Sequence, residues 1–372
     1  MKFLFTCGGT AGHINPALGV AGKIREVMPD AEILFVGAKG NMETELVPRA
    51  GYDIVTVTIT NLSRSLKPKM IAHNLKTVKN VFTATAEAKR IIRDFKPDVA
   101  VGTGGYVCYP VLSAAAKLGV PTAVHESNAV PGLTTKMLAG KVDKILVGFE
   151  DSRSNYQQKD KVVVTGTPVR VEFADLDRFQ AKEELGIPAE KPLLVSVWGS
   201  LGSDHMNKTM AELIRLMPEG QFSLIHATGK RGYRPFIQKL KSTGSLDKAG
   251  VDVREYIYDM PTVMAAADLI LCRAGASTLS ELAVLGKPAL LVPSPNVTNN
   301  HQEKNARVME NAGAARVLLE GQFTPESLLS DVSTLLADSV TLEAMSKNML
   351  TQGNSRATEE IASIVIGMAS GK

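Results

Sequence analysis

Short β-like segments alternate with amphipathic helical patterns along the 372 residues, and this alternation most restricts the possible folds. Strands that alternate with helices form a parallel sheet with helices on both faces. At about 100–200 residues per domain, the length predicts two such domains. The predicted strands are Lys2–Cys7, Glu32–Val36, Ile54–Ile59, Val99–Val101, Thr122–His125, Lys144–Val147, Val162–Thr165, Leu193–Val197, Phe222–Ala227, Val251–Arg254, Leu269–Cys272 and Ala289–Val292.

The chain contains the order strand, glycine-rich loop, helix twice. The first copy runs from Lys2 into a helix predicted over Ala17–Met28, and the pattern breaks at Gly166-Thr167-Pro168. It restarts at Leu193, and helices over Thr324–Ala337, Leu342–Leu350 and Ser355–Ala369 end the chain. The sequence therefore predicts two doubly wound domains facing a cleft, with ligands at the carboxyl ends of the strands.

Three glycine-rich loops follow predicted strands. They are Gly8-Gly9-Thr10-Ala11-Gly12-His13, Gly102-Thr103-Gly104-Gly105-Tyr106 and Gly199-Ser200-Leu201-Gly202-Ser203. Glycine lets backbone approach an anion, and a helix N-terminus offers free N–H groups to it. Neither the dinucleotide spacing nor a P-loop is present. Each loop alone could be a tight turn that binds nothing, but together they indicate a cleft for a diphosphate or a sugar.

The segment Arg273–Glu281 leads from a strand into a helix. Ser277 or Thr278 can cap this helix and also donate to a phosphate, and Glu281 can accept from both hydroxyls of a ribose. The alternative is a capping box in which Glu281 turns back to the backbone.

Other polar residues close to predicted strand ends have two interpretations. His301 and Gln302 are either polar residues at a helix start or contacts to sugar hydroxyls, and Arg170 is either exposed or a phosphate clamp. The pair Asp175 and Asp177 has the spacing of a metal–diphosphate site. Because it opens a helical stretch, we interpret it as helix N-terminal chemistry and expect no metal site.

Basic residues are concentrated between Arg64 and Lys96, where nine basic and two acidic residues give a net charge of +7. Apolar residues recur there at helical spacing. The apolar face either packs on the core or lies on a membrane surface, and nucleic acid is a weaker option. The residues expected to face a membrane are Lys67, Lys69, Ile71, Leu75, Lys76, Val78, Lys79 and Phe82.

The composition, 44% hydrophobic and 22% charged, is typical of a soluble globular protein. No apolar run reaches the ~20 residues of a membrane span, and the N-terminus lacks the pattern of a secretory signal. Three widely separated cysteines form no disulfide set, so we expect a reducing cytoplasm.

Several motifs recur in one order and resemble the MurG family of glycosyltransferases over essentially the whole chain. They are Gly8-Gly9-Thr10-x-Gly12-His13-x-x-Pro16, Gly104-Gly105-Tyr106, His125-Glu126-x-Asn128, Thr165-Gly166-x-Pro168-Val169-Arg170, the Gly275–Glu281 turn and Asn300-His301-Gln302.

The resemblance implies a GT-B fold and transfer of N-acetylglucosamine from UDP-N-acetylglucosamine to lipid I, the undecaprenyl-diphosphate-linked N-acetylmuramyl pentapeptide. It implies a domain 1–166 for the acceptor and membrane, onto which helix 355–372 packs, and a UDP-sugar domain 167–354. No cofactor is expected. The enzyme would work peripherally on the cytoplasmic membrane face in peptidoglycan synthesis, and so in cell shape and division.

Site residues follow from the resemblance position by position. Glu281 would bind the ribose, Ser277, Thr278 and Ser200 the diphosphate, and His301 and Gln302 the sugar. Thr10, His13 and Asn128 would face the reacting centre and the acceptor diphosphate, beside the loop residues Gly9, Gly104, Gly105 and Tyr106. The full donor-binding set is Thr10, Gly12, His13, Asn128, Arg170, Ser200, Ser277, Thr278, Glu281, His301 and Gln302.

This sequence departs from the family pattern at four positions. Ala11 stands where the family usually has glycine, and a positive φ there would strain the backbone. Trp198 and Leu201 stand where glycine and glutamine are common, and Ser127 where glutamine is common. These changes bear on donor affinity and acceptor contacts more than on the fold.

The implied reaction is an inverting single displacement. His13 is the first candidate for the base, because a helix N-terminus disfavours the imidazolium and keeps the ring able to accept a proton. The alternative is that His13 only binds phosphate or caps the helix. Rival functions are a GT-B enzyme with a different acceptor, a sugar-nucleotide epimerase, and a sugar-nucleotide-binding protein without transferase activity.

Overall fold

The computed structural model describes residues 1–59, 68–169, 171–173, 176–199, 202–297 and 300–371, with only the backbone described for 68–79 and 171. The chain divides into two compact units. Unit 1 comprises Met1–Arg170 with Asn354–Lys372, and unit 2 comprises Val171–Gly353. No helix in these ranges is long and apolar enough to cross a membrane.

Unit 1 is a parallel seven-stranded sheet with helices on both faces. Its strands are β1 Lys2–Thr6, β2 Glu32–Ala38, β3 Asp53–Val57, β4 Val99–Gly102, β5 Thr122–Glu126, β6 Lys144–Val147 and β7 Val162–Val164. Its first helices are α1 Ala11–Val27, α2 Glu43–Arg49, α3 Pro68–Phe95, α4 Cys108–Lys117 and α5 Leu133–Leu138, with short 3-10 helices at Glu150–Asn155 and Lys159–Lys161.

The strand order of unit 1 is β3-β2-β1-β4-β5-β6-β7, and every pair is parallel. Side chains alternate between the faces of β1. Phe3 and Phe5 pack with residues of α1, whereas Leu4 packs with residues of α3 and α4. The order reverses between β1 and β4, so the loops after these two strands meet at the switch point.

Unit 2 repeats the design with six parallel strands. They are β8 Leu193–Val197, β9 Ser223–Ala227, β10 Val251–Arg254, β11 Leu269–Cys272, β12 Ala289–Leu291 and β13 Ala315–Val317, in the order β10-β9-β8-β11-β12-β13. A 3-10 helix spans Val171–Phe173, and the α-helices are α6 Arg178–Glu184, α7 Asp204–Leu216, α8 Tyr233–Ser242, α9 Met260–Ala266, α10 Ala276–Leu285, α11 His301–Asn311, α12 Pro325–Ala337 and α13 Ser339–Thr351.

The last helix, α14 Ala357–Ala369, belongs to unit 1 although it follows unit 2 in the chain. Ile361 and Val365 are buried with Ile14 and Val20 of α1 in one hydrophobic cluster. The Asn354 side-chain amide donates to the Thr165 carbonyl oxygen at 2.9 Å and holds the start of this segment on β7.

The alternation of strands and helices is confirmed, and several strands have the predicted bounds. One predicted helix start is wrong, and one strand was missed. The first helix begins at Ala11 rather than Ala17, because Ala11, Gly12 and His13 form its first turn. Strand β13 was not predicted, since three residues give too little alternation to read.

Asp177 lies at the N-terminus of a helix and caps it, as expected. Its carboxylate accepts from the backbone N–H groups of Phe179 and Gln180 at 2.9 Å each and caps α6. Asp175 lies outside the described residues.

His226 on β9 is a fully buried titratable group in the core of unit 2. Its Nδ1 lies 3.1 Å from the Ser196 hydroxyl, and its ring packs on Phe236. Burial lowers the pKa of His226 to about 3, so the folded unit holds this ring neutral.

We predict that unit 2 loses stability as the pH falls below about 6.5. Between about pH 6.5 and pH 3 the unfolded chain binds a proton at His226 that the folded unit does not. The free energy of unfolding should therefore fall by about 1.4 kcal/mol for each unit by which the pH is lowered in this range. Trp198 is the single tryptophan of the chain and lies in the core of unit 2, so its fluorescence reports urea unfolding of that unit.

The variant His226→Gln should show a flatter dependence of the unfolding free energy on pH over this range. His205→Gln, an exposed histidine in α7, is the matched control and should keep the wild-type slope. Equal slopes for His226→Gln and the wild type would contradict the assignment.

Candidate active site and sugar-nucleotide cavity

The loops after β1 and β4 meet at the switch point of unit 1. The Gly8 N–H donates to the Gly104 carbonyl oxygen at 3.2 Å. A Cβ on Gly105 would lie 2.3 Å from the Gly8 carbonyl oxygen, and both Gly104 and Gly105 have positive φ. Only glycine permits this contact, so these glycines have a structural role whether or not they bind a ligand.

His13 lies in the first turn of α1, above the second glycine loop. Its Nδ1 is 2.9 Å from the Gly8 carbonyl oxygen, which can only accept, so Nδ1 carries the hydrogen. In the neutral ring the lone pair is then on Nε2. A Cβ on Gly104 would lie 2.5 Å from His13 Cδ2 and 3.0 Å from Nε2, so any side chain at this position would collide with the ring.

The other predicted residues of unit 1 lie around this switch point or near the end of β5. Thr10 occupies the N-cap position of α1 in an extended conformation without capping it, and its hydroxyl is 3.4 Å from His13 Nδ1. The Tyr106 hydroxyl accepts from the Asn41 side-chain amide at 2.5 Å. Gly12 lies in the first turn of α1, and Asn128 follows β5.

Ala11 does not have the strained backbone that we expected. It is the first residue of α1, and the positive-φ residues other than glycine among the described ones are Lys96 and Asn300. The expectation is wrong because this position already belongs to the helix, where alanine is favourable.

Two buried carboxylates that the sequence did not single out support these loops. Glu43 of α2 accepts from the Gly9 N–H at 3.1 Å and the Ala38 N–H at 2.9 Å. Glu126 accepts from both the backbone and the side-chain N–H groups of Asn128 at 3.1 and 2.9 Å. The position of Glu126 at the end of β5 and two residues before Asn128 was a usable signal, whereas Glu43 reaches the glycine loop only through the tertiary fold.

Unit 2 contains a cavity of about 650 Å³ at the carboxyl ends of its strands. Thr278 and Glu281 of α10 and Gln302 of α11, three of the residues expected to bind the donor, line it. Segments after β8, β9 and β10 complete the wall, and Tyr256 and Arg231 are among their residues. This volume is in the usual range for a site that holds a nucleotide-sized ligand.

The start of α10 differs from the predicted capping box. The N-cap position is Gly275, and Ser277 and Thr278 lie inside the first turn. The capping role proposed for Ser277 or Thr278 is therefore wrong, because the helix begins earlier. The Ser277 hydroxyl is buried without a hydrogen-bond partner among the described residues. Burial raises the pKa of the Cys272 thiol to about 12, and the nearby charge of Glu281 contributes to this rise.

Gln302 and His301 lie in the first turn of α11. The Gln302 side-chain carbonyl accepts from the Ser294 N–H at 2.9 Å, which fixes the amide against the loop after β12. His301 is half-buried and does not line the cavity. Asn300, at the N-cap position, has φ +51, a left-handed conformation that asparagine tolerates better than most residues.

Arg273 connects the loops around the cavity. Its guanidinium pairs with Glu320 at 2.6 Å, donates to the Ser203 hydroxyl at 2.9 Å and to the Val292 carbonyl oxygen at 3.0 Å, and lies over the Trp198 ring. These contacts join segments that follow four strands. Arg273 therefore shapes the cavity, and Trp198 fills the core beneath it rather than leaving the space of a glycine.

Some predicted residues are outside the structure's description. Arg170, Ser200, Leu201 and Lys67 lie beyond the described residues, and only the helical backbone is described at Lys69, Ile71, Leu75, Lys76, Val78 and Lys79. Phe82 is described and is 75% exposed, so the core-facing alternative is wrong for this residue. Among the described residues no group of three or more His, Cys, Asp or Glu side chains could hold a metal ion.

Comparison with known proteins gives one consistent result. The family model described as the glycosyltransferase family 28 N-terminal domain matches residues 3–147, and that of the family 28 C-terminal domain matches residues 193–361.

Curated relatives match over nearly the whole chain. UDP-N-acetylglucosamine--N-acetylmuramyl-(pentapeptide) pyrophosphoryl-undecaprenol N-acetylglucosamine transferase of Acetivibrio thermocellus is 44% identical over 98% of this chain and 97% of its own. The protein of the same name from Caldanaerobacter subterraneus subsp. tengcongensis is 42% identical over 98% and 99%.

A solved structure agrees. The crystal structure of MurG from Acinetobacter baumannii superposes with a TM-score of 0.76 at 26% identity, covering 98% of this chain and 99% of that one. The two parallel-sheet domains are those of the GT-B architecture. The chain thus belongs to glycosyltransferase family 28 and, within it, to the MurG family.

Proposed function

We propose that this chain is an inverting hexosyltransferase that moves N-acetylglucosamine from UDP-N-acetylglucosamine to the 4-hydroxyl of lipid I, making lipid II for peptidoglycan. The observation that carries the proposal is 44% identity over 98% of the chain to a transferase named for this reaction. A GT-B enzyme with a different acceptor and a binding protein without transferase activity are the alternatives. Cell-wall synthesis would connect the enzyme to cell shape and division.

The two units would divide the work. We assign the acceptor and the membrane to residues 1–166 with 355–372, and UDP-N-acetylglucosamine to residues 167–354. The cavity at the strand ends of unit 2 supports the second assignment, because ligands of such folds bind at this edge.

Donor binding would use the wall of this cavity. The Glu281 carboxylate would accept from the ribose hydroxyls, and Thr278 with the free N–H groups of α10 would meet the diphosphate. Gln302 presents its amide N–H₂ to the sugar, because its carbonyl end is taken by Ser294. By family resemblance Arg170, Ser200 and Ser277 would assist at the diphosphate, and His301 at the sugar.

His13 would be the base. The acceptor 4-hydroxyl oxygen bonds to the anomeric carbon as the bond from that carbon to the β-phosphate oxygen breaks, and UDP leaves with the electron pair. The hydroxyl proton passes to His13 Nε2. The support is geometric: Nδ1 is engaged by the Gly8 carbonyl, which leaves the lone pair of the neutral ring on Nε2, and glycine at position 104 places no side chain against that edge.

Charge develops on the departing diphosphate in this transition state. The N–H groups of the first turn of α10 point toward such charge without reorganising, which favours the transition state over the bound donor. Thr10, Gly9, Gly105 and Tyr106 would hold the acceptor diphosphate at the other glycine loops.

Lipid I requires that the enzyme work at a membrane, and we propose peripheral binding to the anionic cytoplasmic face through α3. Phe82 is 75% exposed, and exposing so much of a phenylalanine side chain to water is unfavourable in free energy. Lys89 and Arg93 follow it by seven and eleven residues and so share its helix face. An exposed aromatic beside basic residues fits an interfacial helix.

The variant His13→Gln tests the base. Loss of the proton acceptor should lower kcat roughly 10²- to 10⁴-fold in transfer to a lipid I analogue, whereas KM for UDP-N-acetylglucosamine should stay within about twofold. Glu26→Gln, exposed on the same helix, is the control. A loss confined to KM would assign His13 to binding only.

The variant Glu281→Gln tests the ribose contact. Replacing a charged acceptor with an amide should weaken UDP binding about tenfold or more, measured by calorimetry, because hydrogen bonds to charged groups contribute about 1.5–3 kcal/mol. Glu343→Gln, exposed on α13, should bind UDP as the wild type does. Unchanged affinity in Glu281→Gln would reject the assignment.

The variant Phe82→Ser tests the membrane surface. It should reduce sedimentation with anionic phospholipid vesicles by about tenfold in apparent affinity, because one buried aromatic side chain contributes about 1.5–3 kcal/mol. Val340→Ser removes an equally exposed apolar side chain from unit 2 and should have no effect. Equal losses in both variants would contradict the assignment of the binding face to α3.

A further inference from the structure

Glu43 is a buried acidic residue that the proposed reaction does not yet use. Its side chain is 0% exposed, and it pairs with no cation among the described residues. Burying an unpaired carboxylate is costly, and a neutral side chain of the same shape would avoid this cost. Packing alone therefore does not explain a buried carboxylate at position 43.

The carboxylate fits a space that two glycines leave. A Cβ on Gly8 would lie 2.6 Å from Glu43 Oε1, and a Cβ on Gly37 would lie 2.6 Å from Glu43 Cγ. Burial raises the pKa of the Cys7 thiol, and Cys108 and the charge of Glu43 raise it further, which places this charge next to the end of β1. The Glu43 carboxylate thus packs directly against the first glycine loop.

One peptide group connects Glu43 to His13. The N–H of Gly9 donates to Glu43 Oε2 at 3.1 Å, and the carbonyl oxygen of Gly8, in the same peptide, accepts from His13 Nδ1 at 2.9 Å. Hydrogen bonds in such a chain polarise one another. A negative charge at the N–H end makes the carbonyl oxygen a stronger acceptor for the imidazole N–H.

We propose that Glu43 is a positioning residue that acts on His13 through the Gly8–Gly9 peptide. The carboxylate fixes the peptide, and the peptide holds the His13 hydrogen on Nδ1, which leaves the lone pair of the neutral ring on Nε2. The polarised carbonyl also stabilises the imidazolium that forms when Nε2 takes the acceptor proton. This arrangement resembles a carboxylate–histidine pair with a peptide group inserted between its members.

This inference rests on the proposed function, and its first test compares kcat of Glu43→Gln with the wild type in transfer to a lipid I analogue. We expect a loss of roughly 10- to 100-fold, by analogy with groups that orient metal-binding histidines, with KM for UDP-N-acetylglucosamine within about twofold. Glu45→Gln on the same helix is exposed and should keep the wild-type kcat. A Glu43→Gln variant as active as Glu45→Gln would overturn the proposal.

A double-mutant comparison separates this role from simple support of the loop. If Glu43 acts through His13, Glu43→Gln should lower kcat less than about twofold in the His13→Gln background. The same loss in both backgrounds would show a structural role only. If His13→Gln itself retains kcat, the proposed base fails, which is a separate outcome.

The variant Glu43→Asp separates the effect of charge from that of shape, and it serves as the test if Glu43→Gln does not fold. Glu43→Asp keeps the charge but shortens the side chain, whereas glutamine keeps the shape and loses the charge. We expect kcat to fall in the order glutamate, aspartate, glutamine. Should glutamine prove the better replacement, the charge would have no role and the proposal would fail.

Discussion

The site in unit 1 depends on a contact between two loops that only glycine allows. Gly8 bonds to Gly104, and the Gly8 carbonyl oxygen lies where a Cβ of Gly105 would be. Because neither loop carries side chains at the contact, one peptide can face His13 on one side and Glu43 on the other. The histidine tautomer and the hydrogen bond to the buried carboxylate both depend on the peptide at this contact.

Unit 2 has the same doubly wound topology as unit 1 but a different arrangement at the carboxyl ends of its strands. Its parallel strands bring the segments after β8 to β12 to one edge, where a cavity of about 650 Å³ opens. Here Arg273 adds a connection between the loops, bonding to Glu320, Ser203 and Val292. One fold thus forms both the close loop contact at His13, where we propose proton transfer, and the larger cavity, where we propose donor binding.

Much of this could be predicted from the sequence, because alternating strand and helix patterns and glycine loops are local signals. Thr278, Glu281 and Gln302 do line one cavity. Glu43 could not be predicted, since it meets Gly9 across 34 residues and through folding alone. The start of α10 was misjudged because serine and threonine favour N-caps, whereas here Gly275 takes that position.

The most direct test of the account is transfer itself. The purified chain would be incubated with UDP-N-acetylglucosamine labelled in the sugar and a lipid I analogue, with EDTA present, and label counted in the lipid fraction. The account predicts label in the lipid in spite of EDTA, because helix N-termini and side chains would stabilise the leaving diphosphate without a metal, and no label when the analogue is omitted. Saturable donor binding without transfer would contradict it.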